Sequence, residues 1–167
     1  MCPMLKDAPM RSSFPKLHPL RIRSQAINDA EDLSSHRNID GTIYAVEPEA
    51  WVSAAMDRLT VLCALKPNWD EGTAAPVHPD VYEFVHRFLA DKVIQKLAVG
   101  PDIVPTVSGG IQLEWHTEEI DFLIDIEPEQ NPTFYFFDCV TKNEVESSIA
   151  DDMETPSRAL VKLRSRR

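Results

Sequence analysis

The sequence predicts an α+β fold, in which two amphipathic helices pack on one face of an antiparallel meander of four to five strands and a short C-terminal helix follows. Two observations carry this prediction. Apolar residues recur at spacings of three and four through residues 48–97, the period of amphipathic helices. Residues 103–149 instead alternate apolar and polar side chains between turn-forming segments, which is typical of strands with one buried face.

The first helix is predicted from Glu47-Pro48 to about Leu65, because proline suits the first turn of a helix. Pro67 then stops it. Its apolar stripe consists of Trp51, Val52, Ala55, Met56, Leu59, Leu62 and Cys63. A stripe of this width indicates a surface that faces the core.

The second helix is predicted from His78-Pro79-Asp80 to about Leu97, after a loop over residues 68–77. Glu83 and Arg87 lie four residues apart on its outer side. Its buried stripe is predicted to be Val81, Phe84, Val85, Phe88 and Leu89.

The sheet is predicted from five strand-like segments. They are Ile103 to Val107, Ile111 to Trp115, Ile120 to Ile126, Thr133 to Cys139 and Glu144 to Ile149. Ser108-Gly109-Gly110 is predicted to form a hairpin turn between the first two. The run Phe134 to Phe137 makes both faces of the fourth strand aromatic, so its outer side is expected to be covered by the N-terminal arm, the C-terminal helix or a partner protein. Thr155 is predicted to cap that helix and Pro156 to begin it.

The expected organisation is one α+β domain over residues 46–163, flanked by an arm and a tail. Residues 1–45 contain Pro3, Pro9, Pro15 and Pro19 without sustained periodicity, and are expected to be largely disordered or loosely docked. Residues 164–167 form a short basic tail. The length of 167 residues suits a single core.

The charge of the chain is strongly asymmetric. Its formal net charge is −10, and residues 46–155 hold 22 acidic but only 6 basic residues. An acidic body repels phosphate backbones, which disfavours nucleic acid as a ligand of the main surface. Residues 156–167 hold five basic and no acidic residues, which leaves a DNA-associated regulator using the C-terminal tail as one alternative.

The expected location is the cytoplasm. No apolar run is long enough to cross a bilayer, and the first residues lack the apolar segment of a secretion signal. Cys2, Cys63 and Cys139 are odd in number and widely spaced, which predicts reduced thiols.

Two motifs carry a resemblance to a known group. Asn68-Trp69-Asp70 is followed by Ala75-Pro76-Val77, a helix, and then Gly109-Gly110-Ile111-Gln112-Leu113-Glu114-Trp115. In this order, over about residues 47–163, the chain resembles a widespread group of small uncharacterised bacterial proteins. It departs from the group where Glu71-Gly72-Thr73 replaces a glycine-aromatic-glycine turn. The resemblance implies an α+β fold in a bacterial or phage setting, and favours an antitoxin-like or regulatory protein with a partner encoded by a neighbouring gene.

Eight residues are candidate binding residues. Trp69 and Asp70 are predicted either to form a ligand-facing edge or to stabilise their own turn. Glu114 and His116 share one strand face, which suits either two metal ligands or a solvated surface. The remaining candidates are Asp121 and Asp125 on the acidic sheet face, and Tyr135 and Phe137 on the aromatic strand.

The leading functional hypothesis is a non-enzymatic protein-binding module, inhibitor-like or antitoxin-like, that docks through the acidic sheet face or the aromatic strand. No Gly-x-Ser-x-Gly elbow or glycine-rich phosphate loop is present, which excludes the usual hydrolase, kinase and dinucleotide sites. Neither a cofactor nor a metal is predicted. The alternative enzyme is a metal-dependent nuclease or nucleotide-acting enzyme using Glu114, His116 and Asp121.

Overall fold

The structure, a computed structural model, describes residues 50–164. The predictions for the N-terminal arm, for residues 47–49 and for the tail after Arg164 lie outside the described residues. Along the described chain the elements are α1 (Trp51–Cys63), α2 (Pro79–Leu89), β1 (Asp102–Pro105), β2 (Ile111–His116), β3 (Ile120–Ile126), β4 (Thr133–Asp138), β5 (Glu144–Ser148) and α3 (Glu154–Arg164). The predicted α+β class is confirmed.

The five strands form an antiparallel meander in the order β1-β2-β3-β4-β5. Strict alternation along β3 buries Ile120, Phe122, Ile124 and Ile126 on the inner face. Trp115 stacks on Phe122 with ring centroids 5.5 Å apart, and its indole N–H donates to the Val99 carbonyl at 3.2 Å. This inner face and the buried sides of the three described helices form one hydrophobic core.

The two N-terminal helices follow the predicted apolar stripes, but their bounds differ. The α1 helix covers Trp51–Cys63 and so ends before the predicted Leu65, while its predicted start at Pro48 lies outside the described residues. The α2 helix ends at Leu89 rather than Leu97, and a separate 3-10 turn covers Ile94–Lys96. The Asp91 carboxylate accepts the Val93 N–H at 2.8 Å, which offers the backbone an alternative to continued helix. The shorter helix lets the chain turn so that Ile94 and Leu97 are buried.

The α3 helix packs on the inner face through Ala159, Leu160 and Leu163. It is therefore not the cover for the outer side of β4 that the aromatic strand suggested. Asp152, rather than the predicted Thr155, accepts the first helical N–H groups, from Glu154 at 2.9 Å and Thr155 at 3.0 Å.

An ion pair ties α3 to the end of β4. The Lys162 ammonium donates to one oxygen of Asp138, while the other oxygen accepts the Val140 and Thr141 N–H groups at 3.0 and 2.9 Å. The hydrogen bond from Lys162, followed by those backbone donors, holds the pKa of Asp138 well below its usual range. The same ammonium lies 5.9 Å from the Phe136 ring centroid.

The cysteines depart from prediction at one position. Cys139 is a free, half-buried thiol, but Cys63 is disulfide-bonded. The prediction of reduced thiols is therefore wrong for Cys63, because sequence spacing does not reveal which cysteines a fold brings together.

Candidate functional site

The sheet face opposite the helices is the candidate site, and we call it the outer face. Alternation along the strands places on it Asp102, Val104, Gln112, Glu114, His116, Asp121, Leu123, Asp125, Thr133, Tyr135, Phe137, Glu144, Glu146 and Ser148. Six of these side chains are carboxylic acids. None of the five strands contains a lysine or an arginine, so His116 is the one basic side chain that they contribute.

His116 lies between two carboxylates on this face. Its Nε2 lies 3.2 Å from Glu114 Oε2 and its Nδ1 lies 3.1 Å from Asp121 Oδ1. Asp121 is the cross-strand partner of His116, whereas Glu114 precedes it by two residues on the same strand. The hydrogen bond to Asp121, followed by that to Glu114, raises the pKa of His116 above its ordinary value of 6.5.

The middle of the outer face is apolar and aromatic. Leu123 pairs with Tyr135 across β3 and β4, and Phe137 lies next to Tyr135 on the same face. All three are half-buried. Burial, followed by the negative charge of Glu144, raises the pKa of Tyr135, so its hydroxyl is neutral and able to donate. The Lys142 ammonium, from the turn after β4, lies 5.7 Å from the Phe137 ring centroid.

Asp125 lies at the other end of β3, between Gln112 and Thr133. Partial burial, and then the charge of Glu127, raises its pKa, while a hydrogen bond from Gln112 acts in the opposite direction. Its Oδ1 is buried and has no hydrogen-bond partner. A buried carboxylate oxygen without a hydrogen-bond partner is a cost to the fold.

Trp69 and Asp70 lie elsewhere, in the loop between α1 and α2. The Trp69 indole N–H donates to the Ala75 carbonyl at 2.9 Å. One Asp70 oxygen accepts the N–H groups of Gly72 at 2.9 Å and Ala74 at 3.1 Å, and these two bonds lower the pKa of Asp70. Their polar groups thus serve the loop itself, in agreement with the turn-stabilising alternative.

The structure therefore brings together six of the eight candidate residues and separates the other two from them. The outer face also holds eight residues that were not among the candidates, and four of them add to its charge or its apolar centre: Asp102, Leu123, Glu144 and Glu146. The alternation Glu144-Val145-Glu146 in the predicted fifth strand was the signal that pointed to two of them.

The arrangement of Glu114, His116 and Asp121 gives no metal centre. Within residues 50–164, no group of three or more His, Cys, Asp or Glu side chains is placed to hold a metal ion. Each carboxylate occupies a different nitrogen of the same imidazole, which is the geometry of an ion-paired histidine. The nuclease alternative remains a prediction from sequence.

Among the described helices, none has the length and apolar character needed to traverse a bilayer. Together the fold and the outer face define an α+β domain with an acidic, aromatic-centred sheet surface. Comparison of the chain with protein-family models, with curated proteins and with solved structures found no match. The geometry of the outer face is therefore the basis for assigning a function.

Proposed function

We propose that this protein is a binding module whose outer face docks onto a basic surface of a partner protein. The single observation that supports the proposal most is the composition of that face: six carboxylates from β1, β2, β3 and β5 surround Leu123, Tyr135 and Phe137. Charge complementarity of this kind accelerates encounter and selects basic partners.

The pairing of acids across strands supports a role beyond folding. Asp102 is the direct cross-strand partner of Glu114. Like charges in that position destabilise a sheet, so the pair is a poor choice if stability is the only requirement. A basic side chain from a partner, placed between the two carboxylates, turns the repulsion into two favourable contacts.

The aromatic centre supplies the apolar contact that an interface requires. Tyrosine combines a large contact area with a polar group and is enriched among residues that dominate binding energy. Tyr135 has carboxylates around its hydroxyl and Leu123 and Phe137 beside its ring. We expect Tyr135 to be the central contact and the surrounding acids to orient the partner.

An acidic face that binds a basic protein is how an inhibitor of a nucleic-acid-binding enzyme or toxin operates, because such targets carry basic surfaces. This agrees with the antitoxin-like role that the resemblance implies. The proposed partner is accordingly a basic protein, encoded by a neighbouring gene.

The test is affinity capture from the native cell with quantitative mass spectrometry. The tagged wild type is compared with Tyr135→Ala and Asp121→Lys, and with Glu83→Lys as the matched charge control on the exposed side of α2. We expect one basic protein to be retained by the wild type and by Glu83→Lys and reduced at least about tenfold by the two outer-face variants. Circular dichroism establishes that all variants are folded. Equal capture of that protein by all four forms would refute docking through the outer face.

A further inference from the structure

The β5 strand is the last strand of the described sheet, and its hydrogen-bonding pattern determines which groups it leaves unpaired. The Asp138 N–H donates to the Asn143 carbonyl at 2.8 Å, and the Ile149 N–H donates to the Pro132 carbonyl at 2.9 Å. In an antiparallel pair, hydrogen-bonded positions alternate with positions whose N–H and C=O groups point away from the neighbour. The backbone groups of Glu144, Glu146 and Ser148 therefore point away from β4.

Part of this edge is already satisfied. The Ser148 carbonyl accepts the N–H groups of Asp151 and Asp152, both at 3.0 Å. The N–H and C=O groups of Glu144 and Glu146 point away from β4 and so take no part in the strand ladder, and within residues 50–164 no other hydrogen bond reaches them. An exposed row of backbone donors and acceptors is a template for another strand.

The opposite edge of the sheet is protected. In β1, the Ile103 carbonyl points away from β2 and accepts a hydrogen bond from Arg58 Nε of α1 at 3.2 Å. Pro105 is the next residue of β1 whose backbone groups point away from β2, and as a proline it has no N–H group to donate. Strand addition is therefore favoured at β5 and disfavoured at β1.

The side chains of β5 identify the chemistry of the added strand. Glu144 and Glu146 lie on the outer face beside Phe137 and Tyr135, whereas Val145 faces the inner side and packs against the core. A second copy of β5 would bring glutamates against glutamates, which opposes self-association. A strand that alternates lysine or arginine with small apolar residues places its cations next to Glu144 and Glu146.

We infer that the partner presents such an extended basic segment, which adds to the Glu144–Glu146 edge as a sixth strand and continues the outer face. The inference rests on the proposed function and specifies its binding mode. Main-chain hydrogen bonds supply affinity in strand addition, and alternate side chains supply specificity.

The experiment uses the full chain and a short synthetic peptide that alternates Lys or Arg with Val or Thr. Amide hydrogen exchange followed by NMR reports directly on the edge. We expect saturating peptide to slow exchange of the Glu144 and Glu146 N–H groups by at least about tenfold, as expected when exposed amides become hydrogen-bonded. A peptide in which Glu replaces each Lys and Arg should not protect them.

Backbone participation is separated from charge by two further probes. Two peptides are N-methylated at alternate residues, one at the odd and one at the even positions, and both keep their charge. In one of them the methyl groups replace the N–H groups that face β5, and this peptide should bind at least about fivefold more weakly than the other. On the protein, Glu146→Pro removes the outward N–H and Glu146→Ala retains it, so the proline variant should bind more weakly than the alanine variant. The methylated peptides decide the question if the proline variant does not fold.

Strand addition is overturned if the basic peptide fails to bind, or if it binds while the Glu144 and Glu146 amides remain unprotected and methylation has no effect. Neither result bears on the capture experiment, in which loss of the partner from Tyr135→Ala and Asp121→Lys still supports docking through the outer face. A capture experiment insensitive to those two substitutions refutes the proposed function itself.

Discussion

The side-chain contacts of His116 are the clearest case in which the structure shows more than the sequence predicts. The alternation of β2 predicts that Glu114 and His116 share a face, and this is confirmed. The contact with Asp121 depends on strand register, which the turn at residues 117–119 sets. The sequence did not determine that register, so the histidine's two-sided ion pair could not be predicted.

The pH dependence of His116 follows from the direction of its pKa shift. A histidine whose pKa is raised in the folded state stabilises the fold fully below its unfolded value of 6.5, and this contribution is lost as pH rises through the folded value. His116 is 59% exposed, so screening limits the effect to less than about 1 kcal/mol. We expect the wild type to exceed His116→Gln in urea-unfolding free energy at about pH 6, and the difference to vanish by about pH 9.

The control for this measurement is His86→Gln, which removes an exposed histidine from α2 rather than from the sheet. NMR titration of the His116 ring should give a pKa above 6.5, lowered by Asp121→Asn. A wild-type advantage that grows with rising pH would contradict the assigned ion pairs.

At the scale of elements, the two sequence motifs prove to be parts of one structural unit. The loop that contains Asn68-Trp69-Asp70 continues to Ala75, whose N–H donates to the Val107 carbonyl at 2.8 Å. The His78 N–H, at the start of α2, donates to the Gly109 carbonyl at 2.9 Å. The loop between the helices is thus fastened to the β1–β2 hairpin, which explains why both motifs are present without assigning them a ligand.

Gly109 is the position where this junction depends on glycine. Its φ is +88°, and a Cβ built there would lie 2.7 Å from the Pro76 carbonyl oxygen. We expect Gly109→Ala to lower the free energy of unfolding by about 1–3 kcal/mol, because it combines backbone strain with a backbone clash. Urea denaturation followed by circular dichroism measures the loss.

The matched control is Gly72→Ala in the same unit. Gly72 has no positive φ, and the nearest atom to its added Cβ is the flexible Asp70 carboxylate at 3.0 Å. The loss there should be below about 1 kcal/mol. Equal losses of unfolding free energy for the two substitutions would show that the hairpin and the loop are not held together at Gly109.

Periodicity predicted the elements better than their ends. All of β3 was predicted to the residue, since Ile120–Ile126 alternates without interruption. The start of α2 at Pro79 was predicted correctly, but its C-terminal end and the cap of α3 were misplaced because single carboxylates, Asp91 and Asp152, accept hydrogen bonds from nearby N–H groups. Several residues in each region have side chains that can accept hydrogen bonds from backbone N–H groups, and tertiary packing selected among them.

At the scale of the whole molecule, all three described helices lie on one side of the sheet. Their amphipathic stripes predicted burial for α1 and α2, but nothing in the sequence of α3 identifies the face that it covers. Within residues 50–164 no helix covers the outer face, and the acidic and aromatic residues of that face are the basis of the proposed docking.

The position of α3 also implies that the described domain unfolds as one unit. Leu163, near the end of α3, is 2% exposed and shares a core with Leu59 of α1 and Trp115 of β2. We expect Leu163→Ala to lower the free energy of unfolding by about 2–5 kcal/mol, because it leaves a cavity in this shared core. Far-ultraviolet circular dichroism and tryptophan fluorescence should shift together to the same lower urea midpoint.

Val61→Ala is the control for this substitution, because Val61 is 59% exposed on α1 and its truncation should change stability by less than about 0.5 kcal/mol. In a Trp51→Phe, Trp69→Phe background, fluorescence comes from Trp115 and reports on the sheet, whereas circular dichroism reports mainly on the helices. A fluorescence transition that stays at the midpoint of that background while the helical signal is lost would show that α3 is a separable appendage. Coincident transitions mean that the three described helices and the sheet unfold together, because the helices stabilise the sheet through the core on its inner face.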